Sequence, residues 1–249
     1  MLFRSPRRFL ELAGEARRRG KQLVLLHPGR SAAARESAAT HTGVIAGDYA
    51  VMSALVEQRG VLLVGSLEEL GDVLEIAARS NEMPQGGTVV LTESGAFKAL
   101  ALDLAEDVGL KLPVLTDSNA PDLRAAMPAF VPVSNPVDLT AQALVDPELY
   151  RRTLAALLAD PRVGAIVFGI IQTDTATSHR KFPAILAALR DFRPRKPVIF
   201  AGLDEGAAVP TDYVDQLREL GVPYFAAPER ALRAMARLVN RKQIGRAHV

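Results

Sequence analysis

Two rhythms of apolar residues alternate along the chain. Short solid apolar runs bounded by turn residues mark buried parallel strands, and apolar residues spaced three or four apart mark amphipathic helices. Residues 6–19 follow the helical rhythm, with Phe9, Leu10, Leu12, Ala13 and Ala16 on one face. A strand over 21–26 stops at His27-Pro28-Gly29, and a loop of small residues follows. Next come a helix over 48–58 with Gly60 as its C-cap and a strand over 61–64. A helix then runs to residue 78, opened by Ser66 and Glu69 at capping-box spacing.

Pro84-Gln85-Gly86-Gly87 is the sharpest break, and it predicts two units, 6–83 and 87–240. Beyond it the pattern predicts strands over 88–92, 163–171, 197–203 and 222–225. Helices are predicted over 96–108, 147–159, 181–192, 213–220 and 228–239, with a short one at 120–126 in a proline-punctuated stretch. Such alternation implies an α/β fold with parallel sheets covered on both faces. The strand–helix–strand–helix unit from Lys21 to Leu70 repeats from Lys196 to Leu232. The first copy lacks the preceding strands and helices of the second, so the first domain reads as truncated. It also has the longer connection, and the additional residues form the loop that carries His41.

The chain has 249 residues, 49% apolar, with a net charge of +2, no cysteine and no tryptophan. That excludes disulfides, thiolate metal sites and a cysteine nucleophile. Dispersed basic residues and few aromatics argue against a nucleic-acid surface. No apolar run approaches the roughly 20 residues of a membrane span, and no secretory signal is visible, so a cytoplasmic protein is expected. Both ends read as foreign. Leu2-Phe3-Arg4-Ser5 and Ile244-Gly245-Arg246-Ala247-His248-Val249 resemble the translated ends of a common short-read sequencing adapter, so 6–240 is the segment to interpret.

His41 lies in Ala39-Thr40-His41-Thr42-Gly43, flanked by hydroxyls and followed by glycine. Neutral imidazole is a competent nucleophile near neutral pH, and glycine lets backbone N–H groups approach phosphate oxygens. The competing reading is a solvated, inert loop histidine. Gln172-Thr173-Asp174-Thr175 follows the most apolar strand and offers backbone amides and the Thr173 hydroxyl to a phosphate, or is an ordinary capped turn. Glu93-Ser94-Gly95 resembles a nucleophile turn but lacks its leading glycine, and its place at a helix start fits ligand binding or simple capping equally well. Asp138 in Asn135-Pro136-Val137-Asp138 either orients an active-site loop or shapes a turn. His27 and His179 read as turn and surface histidines, and no cluster has metal-ligand spacing.

Several segments together carry a family resemblance. They are Pro28-Gly29-Arg30-Ser31, Ala39-Thr40-His41-Thr42-Gly43, Ser66-Leu67-Glu68-Glu69-Leu70, Asn135-Pro136-Val137-Asp138-Leu139-Thr140, Leu158-Ala159-Asp160-Pro161 and Lys196-Pro197-Val198. In this order they resemble the ADP-forming acyl-CoA synthetases, relatives of succinyl-CoA ligase. Thr40 replaces the family's usual serine. Thr92-Glu93-Ser94-Gly95-Ala96-Phe97 replaces a segment rich in Asn, Gly and Pro, a variant similar to a branch handling aromatic acids such as ferulate. The resemblance implies flavodoxin-like succinyl-CoA-ligase domains, with 6–83 the C-terminal half of the first and 87–240 the second. It implies conversion of a small carboxylic acid, CoA and ATP to acyl-CoA, ADP and phosphate through an acyl-phosphate. His41 would be the phosphohistidine carrier, and Thr42, Gly43, Gln172 and Thr173 would hold phosphate. Ser94, Gly95, Asn135 and Asp138 would line an active-site loop. CoA, ATP and its Mg2+ would bind mainly on a Rossmann domain and an ATP-grasp domain outside this chain, in the same polypeptide or a partner subunit of an oligomer. A non-catalytic module binding CoA or a partner domain is the alternative, and a hydrolase using Ser94 a third reading.

Overall fold

The computed structural model describes residues 5–42, 48–85, 87–172, 174–203, 206 and 209–240, with backbone only for 38–42. Residues 2–4 and 244–249 of the two tails, Gly43, Gly86 and Thr173 lie outside the described residues. The chain forms two compact units, one from the residues up to Leu74 and one over Glu75–Val239.

In the first unit, α1 (Pro6–Arg18) starts where Ser5 accepts the Arg8 N–H and Pro6 takes the first helical position. A parallel pair, β1 (Val24–Leu26) and β2 (Leu62–Val64), frames α2 (Ala32–Thr42) and α3 (Tyr49–Gln58). Ala13, Val56 and Val61 form the buried centre, with Phe9, Leu10, Leu23, Leu25 and Met52 packed around it. Leu12, expected on the apolar face, is 44% exposed. It lies about 100° round the helix from Ala13, beyond the edge of the buried stripe. The strand expected from residue 21 begins at Val24, because the Gln22 side-chain amide donates to Leu23 C=O and, at 3.0 Å, to Gly60 C=O. Gly60, at φ 81°, reverses the chain after α3 in a conformation that glycine adopts without strain. In α4 (Leu67–Arg79) the cap is as expected on one side, Ser66 accepting the Glu69 N–H. The Glu69 carboxylate reaches one residue further back, to the Gly65 N–H at 2.6 Å.

The second unit carries five parallel strands, β3 (Gly87–Thr92), β4 (Val137–Asp138), β5 (Val163–Ile170), β6 (Val198–Gly202) and β7 (Tyr224–Phe225). Their order is β4-β3-β5-β6-β7. Renumbered within the unit this is 2-1-3-4-5, the flavodoxin order. On one face α5 (Gly95–Asp107) packs with α11 (Pro228–Val239); α8 (Glu148–Ala159) and α9 (Thr175–Phe192) pack together elsewhere on the sheet, with α10 (Thr211–Glu219) against α9. The short α6 (Pro121–Ala126) and α7 (Gln142–Val145) rest on α8. Helices on the sheet explain why β3 and β5 are almost wholly buried and read as continuous apolar runs. Phe182 stacks on Phe200 at 5.1 Å and on Tyr213 at 4.7 Å, tying α9 to the sheet and α10. Gly169 of β5 carries no side chain because the Phe97 ring of α5 fills that space.

The parallel α/β architecture is the expected one. β4 and α7 went unread, being two and four residues long. α9 begins at Thr175 instead of 181, since Asp174 caps it by accepting the Thr177 N–H at 2.7 Å. It continues through Pro183, whose missing N–H leaves one carbonyl without a helical partner.

Candidate functional site

In a parallel sheet every strand delivers its C-terminal end to the same rim, and ligands bind where the strand order reverses. In the second unit that switch point lies between β3 and β5. Glu93 follows β3 directly, and Ile171 and Gln172 follow β5. One Glu93 carboxylate oxygen accepts the Ile171 N–H at 3.1 Å and a bond from the Lys181 ammonium. The other accepts the Tyr150 hydroxyl. Lys181 also donates to Ile171 C=O at 2.8 Å. The Lys181 and Glu93 side chains are only 3% and 4% exposed, so this is a buried ion pair. Burial, and then the Glu93 charge, push the Tyr150 phenol far above its ordinary value, which keeps it a proton donor.

Around this network the rim brings together several residues that the sequence suggested. Ser94 caps α5 by accepting the Phe97 N–H at 3.2 Å, which occupies its hydroxyl as a helix cap. Gly95 opens the helix, and an Asp138 carboxylate oxygen stands 3.4 Å from where a Gly95 Cβ would be. The other Asp138 oxygen accepts the Thr140 N–H. Gln172 is buried and accepts the Tyr224 hydroxyl at 3.0 Å, in space that Gly202 leaves open. Burial raises the Tyr224 phenol, against an opposing pull from Arg218. Asn135 sits away from the rim. Its side chain accepts the Val90 N–H at 3.1 Å and donates to Thr88 and Pro113 C=O at 3.0 and 3.1 Å, extending the ladder along β3 where β4 is too short to reach. At the start of α9 the Asp174 carboxylate already occupies the Thr177 N–H.

In the first unit the segment carrying His41 is not a loop throughout. His41 and Thr42 form the last turn of α2. Three alanines after Ser31, whose hydroxyl accepts the Ala34 N–H, make a strong helix start that the small-residue composition disguised. Arg35 reaches back from this helix to Gly29 and Arg30 C=O and fixes the preceding turn. The start of α3 is not an open anion site: the Asp48 carboxylate accepts the Ala50 and Val51 N–H groups at 2.7 and 3.3 Å. His27 bonds the Pro28 carbonyl, and His179, though exposed, bonds the Tyr213 hydroxyl. Among the described residues no group of three or more His, Asp or Glu could hold a metal ion, and no helix is long and apolar enough to cross a membrane.

Comparison with protein families matches residues 2–77 to the succinyl-CoA ligase like flavodoxin domain. Residues 88–230, more than half of the chain, match the Ligase-CoA domain. The chain belongs to the Ligase-CoA domain family. It is similar to a trans-feruloyl-CoA synthase of an unknown prokaryotic organism, 52% identical over 95% of this chain and 34% of that protein. It is also similar to the alpha subunit of an ADP-forming acetate–CoA ligase of Pyrococcus furiosus, 32% identical over 93% of this chain and 49% of that one. Among solved structures, a dinucleotide-forming acetyl-coenzyme A synthetase of Ca. Korarchaeum cryptofilum, in complex with phosphate and ADP, superimposes with a TM-score of 0.80. It is 26% identical, over 96% of this chain and 50% of that one. The chain thus spans about a third to a half of the length of these relatives.

Within this Ligase-CoA domain chain, Lys181 and Tyr150 are not among the residues expected from the sequence, and Glu93 is expected only as part of a serine turn. A signal was present. Ser178, Lys181, Phe182, Ile185, Leu186 and Leu189 form the buried stripe of α9. A lysine at a core position of an amphipathic helix demands a buried partner.

Proposed function

We propose that this chain is part of an ADP-forming acyl-CoA synthetase that joins a small carboxylic acid to CoA. The similarity that runs through both units in order, to named CoA ligases, carries this reading. Residues 6–83 would be the C-terminal half of a first succinyl-CoA-ligase-like domain, and 87–240 the second. In the direction of synthesis a ring nitrogen of His41 takes the terminal phosphoryl group of ATP, releasing ADP. The substrate carboxylate then takes that phosphoryl group from His41 to form the acyl-phosphate. The CoA thiol, losing its proton, attacks the acyl carbon and expels phosphate. Thr42, Gly43, Gln172 and Thr173 would hold phosphate along this route, with Ser94, Gly95 and Asp138 at the rim of the second unit. CoA, ATP and the Mg2+ that accompanies it would bind mainly to a Rossmann domain and an ATP-grasp domain beyond this chain, in the same polypeptide or a partner subunit of an oligomer. The likeness to a feruloyl-CoA synthase favours an aromatic acid, and the setting would be cytoplasmic.

The test is His41→Ala and His41→Asn in the full-length enzyme. Both should abolish acyl-CoA formation and acid-labile phosphate incorporation, read by turnover and by intact mass at neutral pH. Both variants should still fold, as checked by circular dichroism and thermal unfolding. A folded Ala variant with normal turnover would remove the relay and leave the chain as a module that binds CoA or a partner domain.

A further inference from the structure

We propose that Glu93, Lys181 and Tyr150 form a positioning and charge-compensating device for the turn that opens α5. The inference rests on the reading of this rim as a site for anionic substrate. A buried ion pair seldom stabilises a fold more than well-packed apolar residues would. This one lies at the reversal of strand order, where a ligand crevice is expected. Its geometry is specific. The Glu93 carboxylate takes three donors: the Ile171 N–H from the end of β5, Lys181 from α9 and Tyr150 from α8. It therefore pins together the ends of β3 and β5. The next two residues are Ser94, the cap of α5, and Gly95, its first residue. The three side chains are too buried to meet substrate, so they act through the Ser94–Gly95 turn.

The second effect is electrostatic. Asp138 stands beside Gly95, and Asp174 heads α9. An uncompensated Glu93 would add another negative charge where a phosphate must approach. Lys181, bonded to Glu93 and to Ile171 C=O, cancels that charge at its source. The Tyr150 phenol, kept protonated by burial, satisfies the carboxylate without adding charge.

The experiment uses the full-length enzyme as wild type, Lys181→Met, Glu93→Gln and the double variant. Phosphate KM and kcat are measured in the direction that consumes acyl-CoA, ADP and phosphate, and phosphate binding by calorimetry. Lys181→Met should raise phosphate KM about tenfold, as expected for one poorly screened charge several ångströms from an anion, while kcat changes far less. Glu93→Gln, leaving the cation alone, should lower phosphate KM about threefold. The double variant should return it to the wild-type value even though its melting temperature differs. A purely structural role would move melting temperature and leave these values in no such order. Unchanged phosphate KM in both single variants, or a double variant no better than Lys181→Met, overturns the proposal. If Lys181→Met does not fold, Glu93→Gln decides alone, and an unchanged phosphate KM refutes it. A wild-type enzyme without acyl-CoA turnover would sink the functional reading instead, and the order of calorimetric affinities would still decide this one.

Discussion

Replacing Asn135 with alanine removes three hydrogen bonds at once and leaves their backbone partners behind. The orientation of the amide is unambiguous, because its oxygen faces the Val90 N–H and its nitrogen faces two carbonyls, Thr88 and Pro113. Val90 and Thr88 have no exposed surface, so water does not replace the lost partner there, whereas Pro113 is half-buried. With about 1–3 kcal/mol for each buried group left unpaired, and less for the Pro113 carbonyl, the loss should be about 3 kcal/mol. For a domain of this size that lowers the melting temperature by about 6–12 °C. Aspartate should do no better at neutral pH, since its second oxygen would face the two carbonyls. The assay is urea unfolding of the chain, with hydrogen exchange at the Val90 amide as the local probe. A loss under about 1 kcal/mol for Asn135→Ala, or a tolerated aspartate, would refute the view that this side chain substitutes for a strand.

Two further expectations concern packing and pH. Gly169→Ala should cost about 1–3 kcal/mol by forcing its methyl into the Phe97 ring, and pairing it with Phe97→Leu should recover part of that loss in thermal unfolding; no recovery would locate the cost elsewhere. The Asp160 carboxyl is held below its ordinary value because Arg162 hydrogen-bonds both of its oxygens, burial opposing the shift. A depressed folded value means that this stabilisation is present above the unfolded pKa of about 3.9 and is lost as pH falls through the folded value. Asp160→Asn should therefore flatten part of the acid limb of stability against pH, and an unchanged limb in urea titrations would contradict it.

The elements that were legible in the sequence are those whose signals are local. α11 has a proline at its first position and a clean apolar stripe, and its expected bounds of 228–239 are the observed Pro228–Val239. β5 is an apolar run that only burial on both faces explains. α9 was misread at its start because its first turns, Thr175 to Arg180, are polar and the cap that begins them sits in a turn. The helical turn holding His41 was hidden by alanines and threonines that read equally well as a loop. The rim divides in the same way. Ser94 and Asp138 stand out through local turn chemistry. Glu93, Tyr150 and Lys181 meet only because β3, α8 and α9 converge, and no local pattern joins residues 88 positions apart.

Since the chain has no tryptophan, the long-wavelength part of its near-ultraviolet spectrum belongs to four tyrosines, of which Tyr150 is wholly buried. An exposed tyrosine ionises near pH ~10, but ionised Tyr150 would set a second anion against Glu93 inside the fold. Its tyrosinate band can appear only after the contact between α8 and the end of β3 has come apart. Burial raises Tyr224 as well, so in an alkaline jump the part of the late absorbance that Tyr150→Phe removes would time the opening of the rim, and the protein would carry its own optical clock without a label.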